Sequence, residues 1–332
     1  MDREARALPT AETRPSRSYW SISLRRLLHK KIGVACLIVI GLMYGAGIIT
    51  VFHSVTPYGY NDQNLDVPES ASPGGCRACQ GPSLAHPFGT DRLGRDMLTR
   101  VIYGLRTTVI VTVASLLGGS LLMGISLGLV AGYFGRYLDT IIMRVGEVTT
   151  SFPEIFFLII LVSTVKPPVT DWVRSVENTL GIEIVRLGVV DYMVVALALS
   201  VFSWFGMARL VRGQVLQARE NQYVEAAQAI GVSTPRMLFR HVLPNIMGPV
   251  IVVVSASLAG FAGSEVFLSW LGIGIQPPTP SLGLMMFENA HISVLRTNPH
   301  LLLFPVGTLA LLLFSFNMLG DAVADAFNPR TR

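Results

Sequence analysis

The sequence predicts an all-α integral membrane protein with six transmembrane helices and both termini on the cytoplasmic side. Three observations carry that expectation. Of the 332 residues 51% are hydrophobic and only 14% are charged, with a mean hydropathy of +0.53, a balance that excludes an ordinary soluble globule. Long uncharged runs recur along the chain at bilayer-spanning length. The basic residues also concentrate in alternate connecting segments, as the positive-inside rule requires.

Taken in order, the first crossing is Ile32 to Phe52, uncharged and just long enough to span. Thr107 to Phe134 is a longer uncharged run and makes the second. Leu138 to Val165 is the third. It carries Asp139, Arg144, Glu147 and Glu154, but Ile155 to Val165 is purely apolar and the charges gather toward one end. Pro153 is expected to kink it, and Arg144 and Glu147, three apart, to pair on one face near the cytoplasmic surface. Tyr192 to Ala208, continuing through Leu210 and Val211, is the fourth. Ile246 to Ile275 is the fifth, with one internal acid, Glu265, and Leu301 to Gly320 the sixth. With the N-terminus inside, segments 1–31, 135–144, 209–245 and the C-terminal tail hold 8, 2, 5 and 2 Lys and Arg, which is 17 of the 26. Topology therefore accounts for the net charge of +5, and no basic run with interleaved aromatics points to nucleic acid.

The organisation that follows is a cytoplasmic N-terminal region (1–31), a first transmembrane helix (32–53), an extracytoplasmic loop (54–106), a five-helix transmembrane core (107–322) and a cytoplasmic tail (323–332). Within the first region, residues 1–16 read as disordered. Tyr19 to Lys31 mixes aromatic and aliphatic residues with a basic end, as an interfacial amphipathic helix does. About thirty residues before the first apolar run are too many for the n-region of a cleaved signal.

Cys36 lies inside the first crossing, where a cysteine is a small apolar packing residue. Cys76 and Cys79 lie in the external loop. A local disulfide, half of a metal site and a redox pair are the three readings. A lone CxxC is weak evidence for zinc, and an oxidising exterior favours the disulfide. No metal site is expected.

Motifs for covalent chemistry are missing or out of context. Gly124-Ile-Ser-Leu-Gly128 fits G-x-S-x-G, but it falls inside a helix, whereas a nucleophile elbow needs a strand-to-helix turn. No HExxH, Walker Lys loop or GxGxxG occurs, so this chain is not expected to hydrolyse ATP. Ser120, Gly124, Gly128 and Gly132 recur every fourth residue, a small-residue stripe that lets another helix approach closely. Glu265, a carboxylate within an apolar helix, is expected to face the bundle interior, a partner or a water-filled path, and so is a candidate path residue. No partner for it is evident in the chain.

The most informative segment is the polar gap 213–245. Tyr223-Val-Glu-Ala-Ala-Gln-Ala-Ile-Gly231 reads as a short helix with a small-residue face, Ala226 and Ala227, ended by Gly231. Thr234-Pro235 is the expected N-cap and first residue of a second helix, and Leu243-Pro244 follows. A compact helix-turn-helix of this kind suits docking.

Glu225-Ala226-Ala227, Gly231 and Leu243-Pro244 at this spacing resemble the cytoplasmic "EAA" loop of ABC-importer permeases, the coupling helix that seats in a groove on the ATP-hydrolysing subunit. His241 departs from the pattern, which has an aliphatic residue there. His86-Pro-Phe-Gly-Thr-Asp-Arg-Leu-Gly-Arg-Asp96 resembles the segment before the second span in C-type permeases of the dipeptide/oligopeptide/nickel uptake family. Leu268 to Gly283 and Asn317 to Pro329 resemble that family's later segments, with Leu282 where an aromatic is common. The resemblance spans roughly residues 85–330 and implies a type I ABC-importer permease fold. It implies a subunit that moves peptides or a related small solute by alternating access in a bacterial or archaeal cytoplasmic membrane. Its implied partners are a second homologous permease, two ATP-binding subunits and an extracytoplasmic solute-binding protein, with ATP and Mg held by the ATPase and no cofactor in this chain. The alternative is a stand-alone secondary transporter or a polytopic membrane enzyme.

Overall fold

The computed structural model describes residues 19–52, 56–63, 78–181 and 185–327. The expectations for residues 1–16, Cys76 and the last tail residues lie outside them. Eleven helical elements are described: α1 (Tyr19–His29), α2 (Lys31–Phe52), α3 (Met97–Phe134), α4 (Arg136–Thr150), α5 (Glu154–Leu180), α6 (Val189–Arg219), α7 (Gln222–Ala229), α8 (Thr234–Trp270), α9 (Leu282–Asn289), α10 (Ile292–Thr297) and α11 (His300–Phe327). Among the described residues the only β-pairing is an isolated bridge between Thr90 and Asp96.

Helix α6 is the centre of the bundle, with 67% of its most apolar stretch buried against 11% for α5 and 17% for α2. It is central because α3 offers it a face without side chains. Ser120, Gly124, Gly128 and Gly132 are all buried, and the three glycines lie against it. A Cβ at Gly124 would stand 2.7 Å from that of Met207, at Gly128 2.7 Å from that of Val211, and at Gly132 2.7 Å from that of Val215. The expected small-residue stripe is thus the α3–α6 interface. Ser126 between the glycines is helical (φ −62°, ψ −48°), so the G-x-S-x-G match has no elbow geometry. Within α3 the turns of Leu116–Ile125 widen to π-helical spacing.

The third crossing departs from expectation. Pro153 ends one helix and starts another: α4 stops at Thr150, and Pro153 is the N-cap of α5 (ψ 117°). A proline has no N–H to give and its ring crowds the carbonyl four residues back, so a break replaces the expected kink. By length and apolarity alone, Glu154–Thr179 is the spanning stretch. Register against α6 gives a different crossing. Asp139 accepts from Arg212, Gly146 lies against the Phe205 ring, Phe157 meets Phe202 edge-on at 4.7 Å, and Lys166 pairs with Asp191 at 2.9 Å. Asp191 and Arg212 bracket the apolar part of α6, about 32 Å at 1.5 Å per residue, close to the hydrocarbon thickness. The segment from Asp139 to Lys166 therefore crosses as two pieces joined at Ser151-Phe152-Pro153. Helix α5 continues past Lys166, which also donates to the Gly274 carbonyl (2.7 Å).

The fifth crossing ends at Trp270, five residues earlier than expected, with Leu271 as its C-cap and Gly272 at φ +78°. Helix α1 occupies the expected interfacial segment. Lys30, just after it, pairs with Asp325 of α11 at 2.5 Å.

Candidate functional site

Helix α7 begins after Asn221 and ends in a motif dictated by one residue. Val232 N–H bonds Ala227 O (3.1 Å) and Gly231 N–H bonds Gln228 O (2.9 Å), the paired bonds of a Schellman motif with Gly231 at C′. Its φ of +76° lies in the region glycine enters without strain. The next helical turn starts one residue before expectation. Ser233 (φ −63°, ψ 144°) is its N-cap, with no side-chain cap bond, and Thr234-Pro235 are its first two residues. Approaching Pro244 the turn widens, and Leu243 N–H reaches back to Leu238 O in a π-helical bond. Pro244 cannot donate to the carbonyl four residues earlier, which frees the widening. His241 sits half-buried inside this wide turn. Its carbonyl accepts from the Asn245 amide (2.6 Å).

Six residues were expected to act as a docking unit, and their exposure divides them. Glu225, Ala226, Gly231 and Pro244 are exposed. Ala227 is buried on the same side of α7 as Val224, and Leu243 packs with Val224, Val242 and Ile246. The outward face is Ala226 flanked by Tyr223 and by Ile230, which is 80% exposed. Phe239 is likewise exposed beyond the turn. Sequence reasoning missed Tyr223, Ile230 and Phe239 as surface residues. The helical period carries the signal, since Tyr223, Ala226 and Ile230 fall three and four apart on one face.

Glu265 is fully buried and has partners after all. It accepts from Thr108 of α3 (2.8 Å), Ser269 one turn on (3.0 Å) and Ser281 before α9 (3.1 Å). The one-dimensional pattern hid these donors because two of them come from other elements.

The His86–Asp96 motif is a buried polar core. Asp91 accepts from the Leu93 and Arg95 backbone N–H groups (2.9 Å each), from Arg95 Nε (2.7 Å) and from Arg100 Nη1 (2.6 Å). Arg100 reaches on to Glu288 of α9 at 3.3 Å. Asp96 caps α3 through the Thr99 N–H (2.7 Å) and meets His86 at 2.9 Å. Gly89 (φ +75°) and Gly94 (φ +74°) make the turns, and a Cβ at Gly89 would run into Gln80 O and His300. Cys79, adjoining this core, is disulfide-bonded, and Cys36 is free. Among the described residues no group of three His, Cys, Asp or Glu could hold a metal ion.

Six apolar crossings with α6 at the centre, and a short exposed helix between the fourth and fifth, define a polytopic membrane protein. A family model described as the binding-protein-dependent transport system inner membrane component matches residues 124–332. Another, the N-terminal TM domain of oligopeptide transport permease C, matches residues 18–73. The chain is 36% identical to the dipeptide transport system permease protein DppC of Bacillus subtilis (strain 168), over 96% of this chain and 88% of that one. It is 35% identical to the oligopeptide transport system permease protein OppC of Salmonella typhimurium, over 95% and 93%. Among solved structures it is similar to an inward-facing conformation of the MetNI methionine ABC transporter, with a TM-score of 0.47 and 17% identity, over 67% of this chain and 93% of that one. The chain belongs to the binding-protein-dependent transport system inner membrane component family. It is a permease subunit of an ABC importer, a non-catalytic component whose ATPase is a separate subunit. Membership sets aside the stand-alone carrier and the membrane enzyme.

Proposed function

We propose that this permease carries peptides, or a solute handled by closely related importers, into the cell across a bacterial or archaeal cytoplasmic membrane. The names of its relatives, dipeptide and oligopeptide permeases, support the substrate class. A second homologous permease completes the path, two ATP-binding subunits bind ATP and Mg, and an extracytoplasmic binding protein delivers the solute. Both termini and the α7 loop face the cytoplasm, a reading supported by the distribution of Lys and Arg.

The observation that carries the coupling role is the outward face of α7. Tyr223, Ala226 and Ile230 are solvent-exposed on a helix fixed at both ends, by α6 and by the Gly231 turn. An exposed apolar face on a rigid short helix marks a protein contact. Movement of the ATPase pair would push this helix, and through Leu243 and Val242 the push reaches α8 and the bundle. Glu265, a candidate path residue from the sequence, would there serve the path by fixing the α3–α8 angle.

Uptake of labelled di-, tri- and pentapeptides and of nickel, in a strain deleted for this chain and then complemented, tests the reading. Restored peptide uptake that needs ATP supports it. Restored nickel uptake with no peptide uptake overturns the substrate class.

A further inference from the structure

We propose that a polar stripe on the broken third crossing, Thr140, Arg144, Glu147 and Ser151 leading to Glu154, lines the water-filled route of the substrate. This rests on the permease reading above.

The stripe follows helical geometry. Positions i, i+4, i+7 and i+11 lie on one side of α4, and all four side chains are exposed. Asp139, also on α4, turns toward the bundle and pairs with Arg212 of α6. Beside the stripe runs an apolar one, Tyr137, Ile141, Val145 and Val148, also exposed. The helix therefore presents two different surfaces away from its own bundle.

Depth decides what the polar surface can face. Gly146 is level with Phe205 and Phe157 with Phe202. Phe202 is eleven residues from Asp191 and seven from Arg209, so it lies about 10 Å inside the nearer charged boundary at 1.5 Å per residue. Arg144 and Glu147 pair with each other at 3.0 Å yet remain 77% and 54% exposed. By the same register Arg144, two residues before Gly146, lies near the level of Arg209, whereas Glu154, three before Phe157, lies inside that boundary, and a carboxylate does not sit at that depth against lipid. Such groups face water or protein.

The chain break adds independent weight. The first N–H groups of α5 have no partner within the helix, and its N-cap Pro153 supplies no side-chain bond. Ser151, Phe152, Pro153 and Glu154 are all exposed. Interrupted backbone at membrane depth is tolerated where it lines a cavity or is buried in protein, and transporter sites are often built on interrupted helices. The arrangement suits a hydrated polar solute. Glu154, past the internally paired Arg144 and Glu147, leaves one negative charge to favour a cationic group such as a free amino terminus.

Single cysteines in a Cys36→Ala background test this in the assembled transporter in membrane vesicles. The probes are an anionic and a cationic methanethiosulfonate. We expect Ser151→Cys and Thr140→Cys to react at least tenfold faster than Val148→Cys and Ile141→Cys, and tri-alanine to slow Ser151→Cys. We expect the cationic reagent to be favoured at Ser151→Cys, and Glu154→Gln to lower that preference several-fold. Equal or inverted rates on the two stripes would overturn the path assignment. An unchanged reagent preference in Glu154→Gln would overturn the role of that charge. Labelling is read without turnover, so reactive stripe cysteines in a transporter that takes up no peptide count against the peptide reading and leave the path standing.

Discussion

Thr108 donates a 2.8 Å hydrogen bond to Glu265, tying the second crossing to the fifth deep inside the bundle. Ser269 and Ser281 complete the set, so one carboxylate fixes α3, α8 and the turn leading to α9. Each of these hydrogen bonds contributes about 0.5–1.5 kcal/mol, and loss of the carboxylate removes all three. Glu265→Leu is therefore expected to lower the melting temperature in detergent by several degrees. Thr108→Val should cost less, because one bond is lost and two remain. Thermal unfolding followed with a thiol-reactive dye checks both. An unchanged melting temperature with uptake abolished would place Glu265 on the path and not in the frame.

Gly231 is constrained by its backbone and not by its neighbours. A Cβ there would meet nothing within 4 Å, whereas a φ of +76° costs a non-glycine residue about 1–2 kcal/mol. Asn tolerates this region better than a β-branched residue does. Gly231→Asn is expected to keep most ATP-driven uptake and Gly231→Val to lose most of it. Uptake by the two variants at equal membrane content is the measurement, and equal activities would remove the turn from the coupling argument.

Ala226 and Ala227 are adjacent yet should fail differently. Ala227 faces its own chain and Ala226 faces out. Ala227→Trp overfills a packed site, at about 1–3 kcal/mol or more, and should reduce the amount of permease in the membrane. Ala226→Trp should leave that amount normal and lose co-purification of the ATPase, as should Ile230→Asp. Immunoblots of membranes and of detergent pull-downs separate the outcomes. Normal ATPase recovery with Ala226→Trp would move the contact elsewhere.

Residue pattern alone revealed what depends on local chemistry. Six apolar runs, the glycine stripe and the Gly231 stop were legible because length, period and backbone freedom are written residue by residue. The break at Pro153 was half-legible. Proline signals a disturbance, but whether a helix kinks or stops depends on where the next segment packs, and Phe157 against Phe202 settles that across the bundle. Partners of Glu265 were illegible, since Thr108 lies 157 positions away. The inward turn of Ala227 was missed because small residues give no amphipathic contrast to read.

Asp91 and Arg100 make the sharpest test of the His86–Asp96 motif. Both are nearly fully buried, 2.6 Å apart, and Asp91 also holds Arg95 at 2.7 Å. Breaking a buried pair by removing one partner costs about 3–5 kcal/mol, because the other charge stays buried and uncompensated. Asp91→Ala leaves two guanidinium groups facing each other with only the half-exposed Glu288 to share. It should be the most damaging single change outside the membrane. Arg100→Gln removes one cation but leaves Arg95 on Asp91, and should do less harm. Arg95→Gln should do least, since Asp91 keeps Arg100 and its backbone donors. The expected order of membrane content, measured by quantitative immunoblot, is wild type, Arg95→Gln, Arg100→Gln, Asp91→Ala. If Asp91→Ala accumulated normally and only uptake fell, the network would belong to solute delivery and not to folding of the loop.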